Sequence, residues 1–256
     1  RPGFFLFTDA DIAHPPDSLR ALVGKACSDG LDLVSLMAHL RAATPWERLL
    51  VPAFVFFFAK LYPFRWVNDP RRATAAAAGG CVLLRREALE RAGGLETIAG
   101  EIIDDCALAG LVKGEGRPGG GKTWLGLSHE VRSLRAYNGL GGIWDTVART
   151  AFAQLRYSPL LLLATVPGMG LVYLVPVLAA AGGLVAGGLD RQSALAPWLV
   201  AAGLLAWVLM AGSYLPILKW YRASPLLAFL LPFTAALYTL MTVDSARHSL
   251  LGKGGG

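Results

Sequence analysis

Two aspartates separated by one residue are the first side chains in the sequence that could do chemistry. Asp9 and Asp11 follow the wholly apolar run Phe4-Phe5-Leu6-Phe7. That pattern is typical of a buried strand that ends in a polar loop, and open α/β sheets bind ligands at such strand ends. Carboxylate oxygens suit Mg²⁺ or Mn²⁺, which leave positions for phosphate oxygens. The alternative is a pair of solvated carboxylates that precede the next helix.

A second acidic pair, Asp104-Asp105, stands where a helix is predicted to begin. The helix dipole stabilises negative charge at this end, which would explain the pair without any chemistry. In the functional alternative, each carboxylate raises the pKa of its neighbour. One of the two then moves toward the range in which a carboxylate accepts protons as a general base.

Other motifs carry less weight. Residues 116–123 match the phosphate-loop pattern G-x-x-x-x-G-K-[ST]. That loop requires a strand before it and a helix after it, whereas here a helical pattern precedes and a strand-like pattern follows. We interpret the segment as a surface turn. The three cysteines and four histidines lack metal-ligand spacing, and we expect the cysteines to be small buried hydrophobes.

The elements around the first aspartates form a strand–helix–strand unit. A helix opens at Pro15–Ser18 and ends at Gly30, and residues 31–37 read as the next strand. This unit predicts an α/β domain with a parallel sheet covered by helices. Farther along, we expect a helix over residues 102–112 and a strand over 123–127.

The charges divide the chain into two parts. Residues 1–158 carry 19 Lys/Arg and 16 Asp/Glu, whereas residues 159–256 carry 5 and 2. The second part contains three apolar stretches, over residues 160–185, 195–218 and 226–243, which are long enough to cross a bilayer. We predict a catalytic domain over 1–158 and a membrane domain of about three transmembrane helices over 159–256. A very hydrophobic soluble bundle is the alternative.

The net charge of +6 comes from dispersed basic residues, so a nucleic-acid partner is not expected.

Residues 46–66 are rich in aromatic residues but interrupted by Pro52. Their uncharged stretch is too short to span a bilayer, which favours a helix in the membrane interface over an ordinary core helix.

Taken together, these motifs resemble a family 2 glycosyltransferase of the GT-A type. The likeness rests on Thr8-Asp9-Ala10-Asp11, Gly79-Gly80-Cys81 with Arg85–Leu89, Asp104-Asp105, and Gln154–Tyr157. More narrowly, Asp32–Leu36, Trp46-Glu47-Arg48 and Phe64–Pro70 look like the hopene-associated glycosyltransferases of hopanoid-producing bacteria. The resemblance covers nearly the whole chain.

The resemblance implies roles for individual residues. Asp9 and Asp11 would bind Mg²⁺ or Mn²⁺ and the diphosphate of a nucleotide-sugar, with Asp11 the more direct ligand. Asp105 would be the catalytic base beside Asp104, which replaces the usual Glu. The resemblance also implies that Gly79, Gly80, Gln154 and Arg156 help to bind the donor. The family's Gln-x-x-Arg-Trp motif is altered, because Tyr157 replaces Trp and Gln154 lies only two residues before Arg156.

The implied activity is inverting sugar transfer to a lipid acceptor in a bacterial inner membrane. The basic connector at residues 219–222 favours a cytoplasmic catalytic domain, whereas Arg247 and Lys253 argue for the opposite topology. The alternatives are a processive polysaccharide synthase and an inactive scaffold or transporter accessory protein. The family's first nucleotide-binding unit has no counterpart here, so we expect it to precede Arg1.

Overall fold

The computed structural model describes residues 2–114, 120–190 and 192–251, and the strands within them form a five-stranded sheet. The strands are β1 (Phe4–Phe7), β2 (Ile12–Ala13), β3 (Leu33–His39), β4 (Val82–Arg85) and β5 (Thr123–Ser133). Their order across the sheet is β1-β4-β3-β5-β2. The predicted strands after Gly3, after Gly30 and at Thr123 are therefore confirmed. The expected burial of the first one is corrected, because β1 lies at the edge of this sheet and its four residues are only partly buried.

The sheet is mixed, which corrects the expected parallel sheet. Strands β3 and β5 are parallel, but β4 lies antiparallel between β1 and β3, and β2 is antiparallel to β5. Strands β1 and β3 do run in the same direction, as a strand–helix–strand unit requires. The antiparallel β4 comes from a distant part of the chain, and a local pattern cannot reveal which strands it will separate.

Ten α-helices accompany the sheet in the described residues. They are α1 (Ser18–Ser28), α2 (Pro45–Leu61), α3 (Phe64–Val67), α4 (Arg86–Arg91), α5 (Asp104–Lys113), α6 (Gly139–Gln154), α7 (Pro159–Met169), α8 (Val175–Leu189), α9 (Ala196–Trp220) and α10 (Leu231–Leu250). A π-helical segment, Gly170–Leu174, joins α7 to α8. The predicted start of α1 and its end at Gly30, which has a φ of 62°, agree with the structure.

Helices cover both faces of the sheet because the side chains of each strand alternate. On one face, Val34 and Leu83 pack with Leu22 and Ala26 of α1. On the other face, the neighbouring residues Leu33, Val82 and Leu84 pack with residues of α5 and α4, among them Leu108, Ala109 and Ala88. The period of two along β3 and β4 therefore builds two apolar layers and holds α5 against the sheet.

The chain divides into two compact units. The first comprises Arg1–Arg41 and Phe57–Ala136, and the second comprises Ala42–Phe56 and Tyr137–Gly256. The first unit contains the sheet. The second contains the apolar helices together with α6 and the first part of α2, so its limits differ from the division that the charge distribution suggested.

Three helical stretches among the described residues of the second unit are long and apolar enough to cross a membrane: Pro159–Leu189, Ala196–Trp220 and Pro225–Leu250. They coincide with the three predicted spans, and most of their large apolar side chains are exposed. Small residues let α8 and α9 approach closely: a Cβ on Gly203 would lie 2.5 Å from the amide nitrogen of Ala180. Such contacts are typical of helices packed in a membrane.

The first part of α2 is buried within the second unit. The Tyr238 hydroxyl of α10 donates a hydrogen bond to the Leu50 carbonyl at 2.9 Å, and the rings of Phe56 and Tyr214 lie 5.1 Å apart. Glu47, which is fully buried, accepts hydrogen bonds from three backbone amides near the start of this helix and of α6. The first part of α2 therefore packs against α9 and α10, two of the helices that could span a membrane, and its position relative to the membrane interface stays a prediction.

Candidate active site

Asp9 and Asp11 lie in the turn that carries the chain from β1 to β2. The Ile12 amide donates to the Asp9 carbonyl at 3.2 Å, which closes the turn. Asp11 is tied to the end of β5 by two hydrogen bonds. The Leu134 amide donates to its carbonyl at 2.8 Å, and the Ser133 hydroxyl donates to its carboxylate at 2.6 Å. One oxygen of the Asp11 carboxylate is therefore held while the other remains available to a ligand.

Asp104 and Asp105 form the first turn of α5, as the sequence predicted. The two oxygens of Asp105 accept hydrogen bonds from different backbone amides, those of Gly79 and Cys106, each at 2.7 Å. The Asp104 carboxylate accepts from the Asp105 amide at 2.9 Å and is itself exposed. Each oxygen of Asp105 keeps a second lone pair, so the carboxylate can still accept a proton.

The dipeptide Gly79-Gly80 lies between the two acidic clusters. A Cβ built on Gly79 would stand 3.3 Å from the nearer Asp105 oxygen, and one built on Gly80 would stand 3.9 Å from an Asp9 oxygen. The Thr8 hydroxyl also donates to the Gly80 carbonyl at 3.0 Å. Because adjacent Cα atoms are only about 3.8 Å apart, these contacts bring the two clusters to one place in the fold.

A histidine supports this dipeptide through Thr8. The Nε2 atom of His14 is hydrogen-bonded to the Thr8 hydroxyl at 2.8 Å, and its Nδ1 atom is hydrogen-bonded to the Ser18 hydroxyl at 3.3 Å. The Thr8 hydroxyl lies within reach of two carbonyls, those of Gly80 at 3.0 Å and Asp9 at 3.3 Å. Hydrogen bonds thus link the start of α1 to Gly80.

Burial and like charges shift two of the carboxyl pKa values upward. The pKa of Asp9 is raised mainly by burial and further by the negative charges of Asp11 and Asp104, while Arg135 opposes the rise. The pKa of Asp105 is raised mainly by burial, against the hydrogen bonds from Cys106 and Gly79, and Asp104 raises it further. The cluster therefore concentrates negative charge that a cation would stabilise.

The arrangement can hold a divalent cation only with help from other oxygen donors. Among the described residues, no group of three or more His, Cys, Asp or Glu side chains lies close enough to bind a metal ion. Mg²⁺ is commonly held by one or two carboxylates together with substrate phosphates and water. Asp9 and Asp11 fit that mode because their oxygens are hard donors and because the carboxylates repel one another.

Sequence reasoning missed Ser133, Arg135 and His14 as parts of this site. Ser133 and Arg135 belong to the end of β5 and the residues after it, where the pattern predicted a strand only as far as Leu127. A single serine or arginine belongs to no recognisable motif, so the sequence gives no signal for either residue. Only the pairing of Ile12 with Ser133 brings this part of β5 beside Asp11.

Gln154 and Arg156 lie in the second compact unit, at the end of α6 and in the turn before α7. Arg156 and Tyr157 have φ values of 52° and 53°, in the left-handed region, and the Arg156 side chain is exposed. The Ser158 hydroxyl accepts a hydrogen bond from the Leu161 amide and caps α7. The roles that the resemblance implies for Gln154 and Arg156 stay predictions.

The remaining sequence motifs do not add to the site. Residues 116–119 of the phosphate-loop match lie outside the described residues, but Thr123 begins strand β5 and not a helix, so the helix that this loop requires is absent there. Burial raises the pKa of Cys81 to about 11 and that of Cys106 to about 12, which disfavours reactive thiolates. Cys27 is exposed, contrary to expectation.

One family model matches the chain. Its description is glycosyl transferase family 21, and it covers residues 2–245. A search of curated proteins found no match. The family model agrees with the class of enzyme that the sequence motifs indicated, whereas the narrower likeness to family 2 and to its hopene-associated subgroup stays a prediction.

Proposed function

The chain belongs to glycosyl transferase family 21 and is a glycosyltransferase, and from this premise we propose that it is a membrane-bound inverting enzyme. It would transfer a sugar from a nucleotide-sugar donor to a lipid acceptor. The observation that carries the proposal is the convergence of Asp9 and Asp105 on the dipeptide Gly79-Gly80. The three apolar helices support an acceptor that resides in the bilayer, and the sequence likeness suggests a hopanoid-related lipid.

Asp105 is the proposed general base. Its carboxylate is fixed by two backbone amides at 2.7 Å, and its raised pKa brings it closer to the pKa range in which a base accepts a proton efficiently. As the acceptor hydroxyl attacks the anomeric carbon, its proton would pass to Asp105. The new carbon–oxygen bond would form on the face opposite the departing nucleoside diphosphate, so one displacement inverts the anomeric centre.

Asp9 and Asp11 are the proposed ligands of Mg²⁺ or Mn²⁺. When bound, the cation would supply positive charge beside the diphosphate of the donor, where negative charge grows as the sugar leaves. Ser133 and the Leu134 amide hold Asp11 in place for this role. Gly79 and Gly80 would let the donor approach the backbone between the two acidic clusters, and Gln154 and Arg156 would contact the diphosphate.

We also propose that the sheet-containing unit faces the cytoplasm of a bacterial inner membrane. Lys219 lies in the last turn of α9 and Arg222 in the connector that follows, and basic residues that flank membrane spans remain on the cytoplasmic side. A cytoplasmic site would have direct access to nucleotide-sugars.

The variant Asp105→Asn tests the proposal. Membranes containing the intact gene product would receive radiolabelled UDP-glucose, UDP-galactose or GDP-mannose, and lipid products would be extracted and counted. Since Asn cannot accept the proton, we expect transfer to fall by about 10²- to 10⁴-fold while donor binding persists. The control, Asp17→Asn, removes an exposed carboxylate and should keep full activity. Undiminished transfer by Asp105→Asn would refute Asp105 as the base.

A further inference from the structure

A cavity in the sheet-containing unit lies apart from the residues assigned to catalysis. Its volume is about 590 Å³, within the usual range for small-molecule sites. It is lined by Arg65, Trp66, Asn68, Asp69, Arg71 and Arg72. None of these residues belongs to the acidic site.

The lining carries an excess of positive charge. Three arginines face one aspartate, a net of +2. Arg71 binds Asp69 in a two-pronged ion pair, with nitrogen–oxygen distances of 3.0 and 3.1 Å, and holds the pKa of Asp69 down to about 2. Within the described residues, neither Arg65 nor Arg72 forms an ion pair with an acidic side chain. The guanidinium of Arg72 lies 5.5 Å from the centre of the Trp66 ring.

The backbone beneath the cavity is held rigidly. The Asn68 side chain donates to the Leu125 carbonyl at 3.0 Å and accepts from the Leu125 amide at 2.7 Å, which fastens the loop to β5. Lys113 is 1% exposed, and its ammonium donates to the carbonyls of Trp66, Val67 and Thr74 at 3.1, 2.6 and 2.7 Å. A binding site whose backbone is fixed beforehand loses less entropy when a ligand binds.

We propose that this cavity binds a phosphate group through Arg65 and Arg72. Guanidinium groups recognise phosphate oxygens through paired, charge-assisted hydrogen bonds. Neither of these two arginines forms an ion pair among the described residues, although the charge of Arg72 helps to lower the pKa of the nearby Asp69. The phosphate can belong to a soluble diphosphate or to the headgroup of an anionic phospholipid. Trp66, whose residue surface is 41% exposed, provides an aromatic surface beside the anion. The inference does not depend on the proposed function.

Helix α5 connects this cavity to the acidic site. Asp105 stands at its first turn and Lys113 at its last, eight residues later, which corresponds to about 12 Å along the helix axis. A ligand in the cavity would therefore sit against a loop that is fastened to the same helix as the proposed base.

The test uses the full chain purified in detergent, with Arg65→Ala and Arg72→Ala as the variants. Arg20→Ala is the matched control, because that arginine is exposed and its ion pair with Asp17, at 3.9 Å, lies outside the cavity. In one arm, pyrophosphate binding is measured by calorimetry in the presence of EDTA, so that the cation-dependent acidic site does not contribute. In the other arm, native mass spectrometry counts retained phosphatidylglycerol against phosphatidylcholine.

We expect each cavity variant to weaken binding about tenfold in the arm that matches the true ligand, as the loss of one charge-assisted contact predicts, while Arg20→Ala binds normally. A loss confined to the pyrophosphate arm identifies a soluble ligand, and a loss confined to phosphatidylglycerol identifies a lipid headgroup. Absence of binding in both arms, or binding that both cavity variants retain in full, would overturn the proposal. Melting temperatures verify that the variants remain folded.

Discussion

Adding one methyl group at Gly80 should disturb the acidic site in a way that a second substitution reverses. A Cβ at this position would lie 2.9 Å from the Cδ1 atom of Ile12, whereas carbon atoms in contact prefer about 3.5–4.0 Å. The φ angle of Gly80 is not in the left-handed region, so the cost of Gly80→Ala comes from this overlap and not from backbone strain.

Because Cδ1 is the free end of a half-buried side chain, Ile12 can move to relieve the overlap of roughly 0.6–1.1 Å, and we expect a loss of stability of about 1 kcal/mol, the low end for an added methyl group. Ile12 directly follows Asp11 and pairs with Ser133, so a shift of Ile12 also displaces the carboxylate. Misplacement of a catalytic group by about 1 Å can reduce activity about 10²-fold. Gly80→Ala should therefore lower both stability and transfer activity.

The rescuing change is Ile12→Val, which removes the Cδ1 atom. By itself Ile12→Val should lower the free energy of unfolding by about 0.5 kcal/mol, the low end for this substitution, because Ile12 is only half-buried. In the double variant the closest contact disappears, although a contact of 3.2 Å with Cγ1 remains. We expect the double variant to recover about 1 kcal/mol relative to the sum of the single changes.

Thermal unfolding in detergent and transfer activity would be measured for four proteins: the unchanged chain, Gly80→Ala, Ile12→Val and the double variant. The control is Gly24→Ala in α1, where a new Cβ meets no atom within 4 Å and should stabilise the helix by about 0.5–1 kcal/mol. If Gly80→Ala is as stable and active as this control, or if Ile12→Val restores neither property, Gly80 does not set the spacing between the two acidic clusters.

Two further predictions concern helix α5. Asp104→Asn removes a negative charge that raises the pKa of Asp105, so the acid limb of the activity profile, where the base becomes protonated, should move to lower pH; an unmoved limb would contradict Asp105 as the titrating group. Lys113→Met removes a donor from three loop carbonyls, of which that of Val67 keeps the Thr123 hydroxyl and that of Trp66 keeps the Asp69 amide. It should destabilise the protein by about 1–3 kcal/mol in thermal unfolding, whereas the exposed Lys122→Met should change little. Equal melting temperatures of these two variants would show that Lys113 does not fasten the loop.

Much of the fold could be predicted because it depends on patterns of neighbouring residues. The apolar run before Asp9, the glycine that ends α1 and the three long apolar stretches each describe a single element. The acidic pair at the start of α5 was also visible, since a helix start needs only a few residues. The class of enzyme was indicated by the resemblance of these motifs, in their order along the chain, to family 2 glycosyltransferases.

The order of the strands was not predictable in the same way. The sequence suggested that β1, α1 and β3 form an ordinary parallel unit, but β4 pairs with both β1 and β3 in the opposite direction. An apolar segment such as β4 suits a parallel or an antiparallel position in the sheet equally well, so its composition does not reveal its direction. Its partners, β1 and β3, lie far from β4 in the chain, so no short window contains both a strand and its neighbour.

The sequence by itself determined the acidic residues, their attachment to the ends of regular elements and the hydrophobicity that suits a bilayer, because each of these is a local property of the chain. Only the tertiary structure decided that Gly79-Gly80 separates Asp9 from Asp105, that Ser133 holds Asp11, and that Lys113 fastens the loop of the arginine cavity. These contacts join residues that lie from 26 to 122 positions apart. They form when packing of the two apolar layers brings distant segments together, and local patterning does not specify that arrangement.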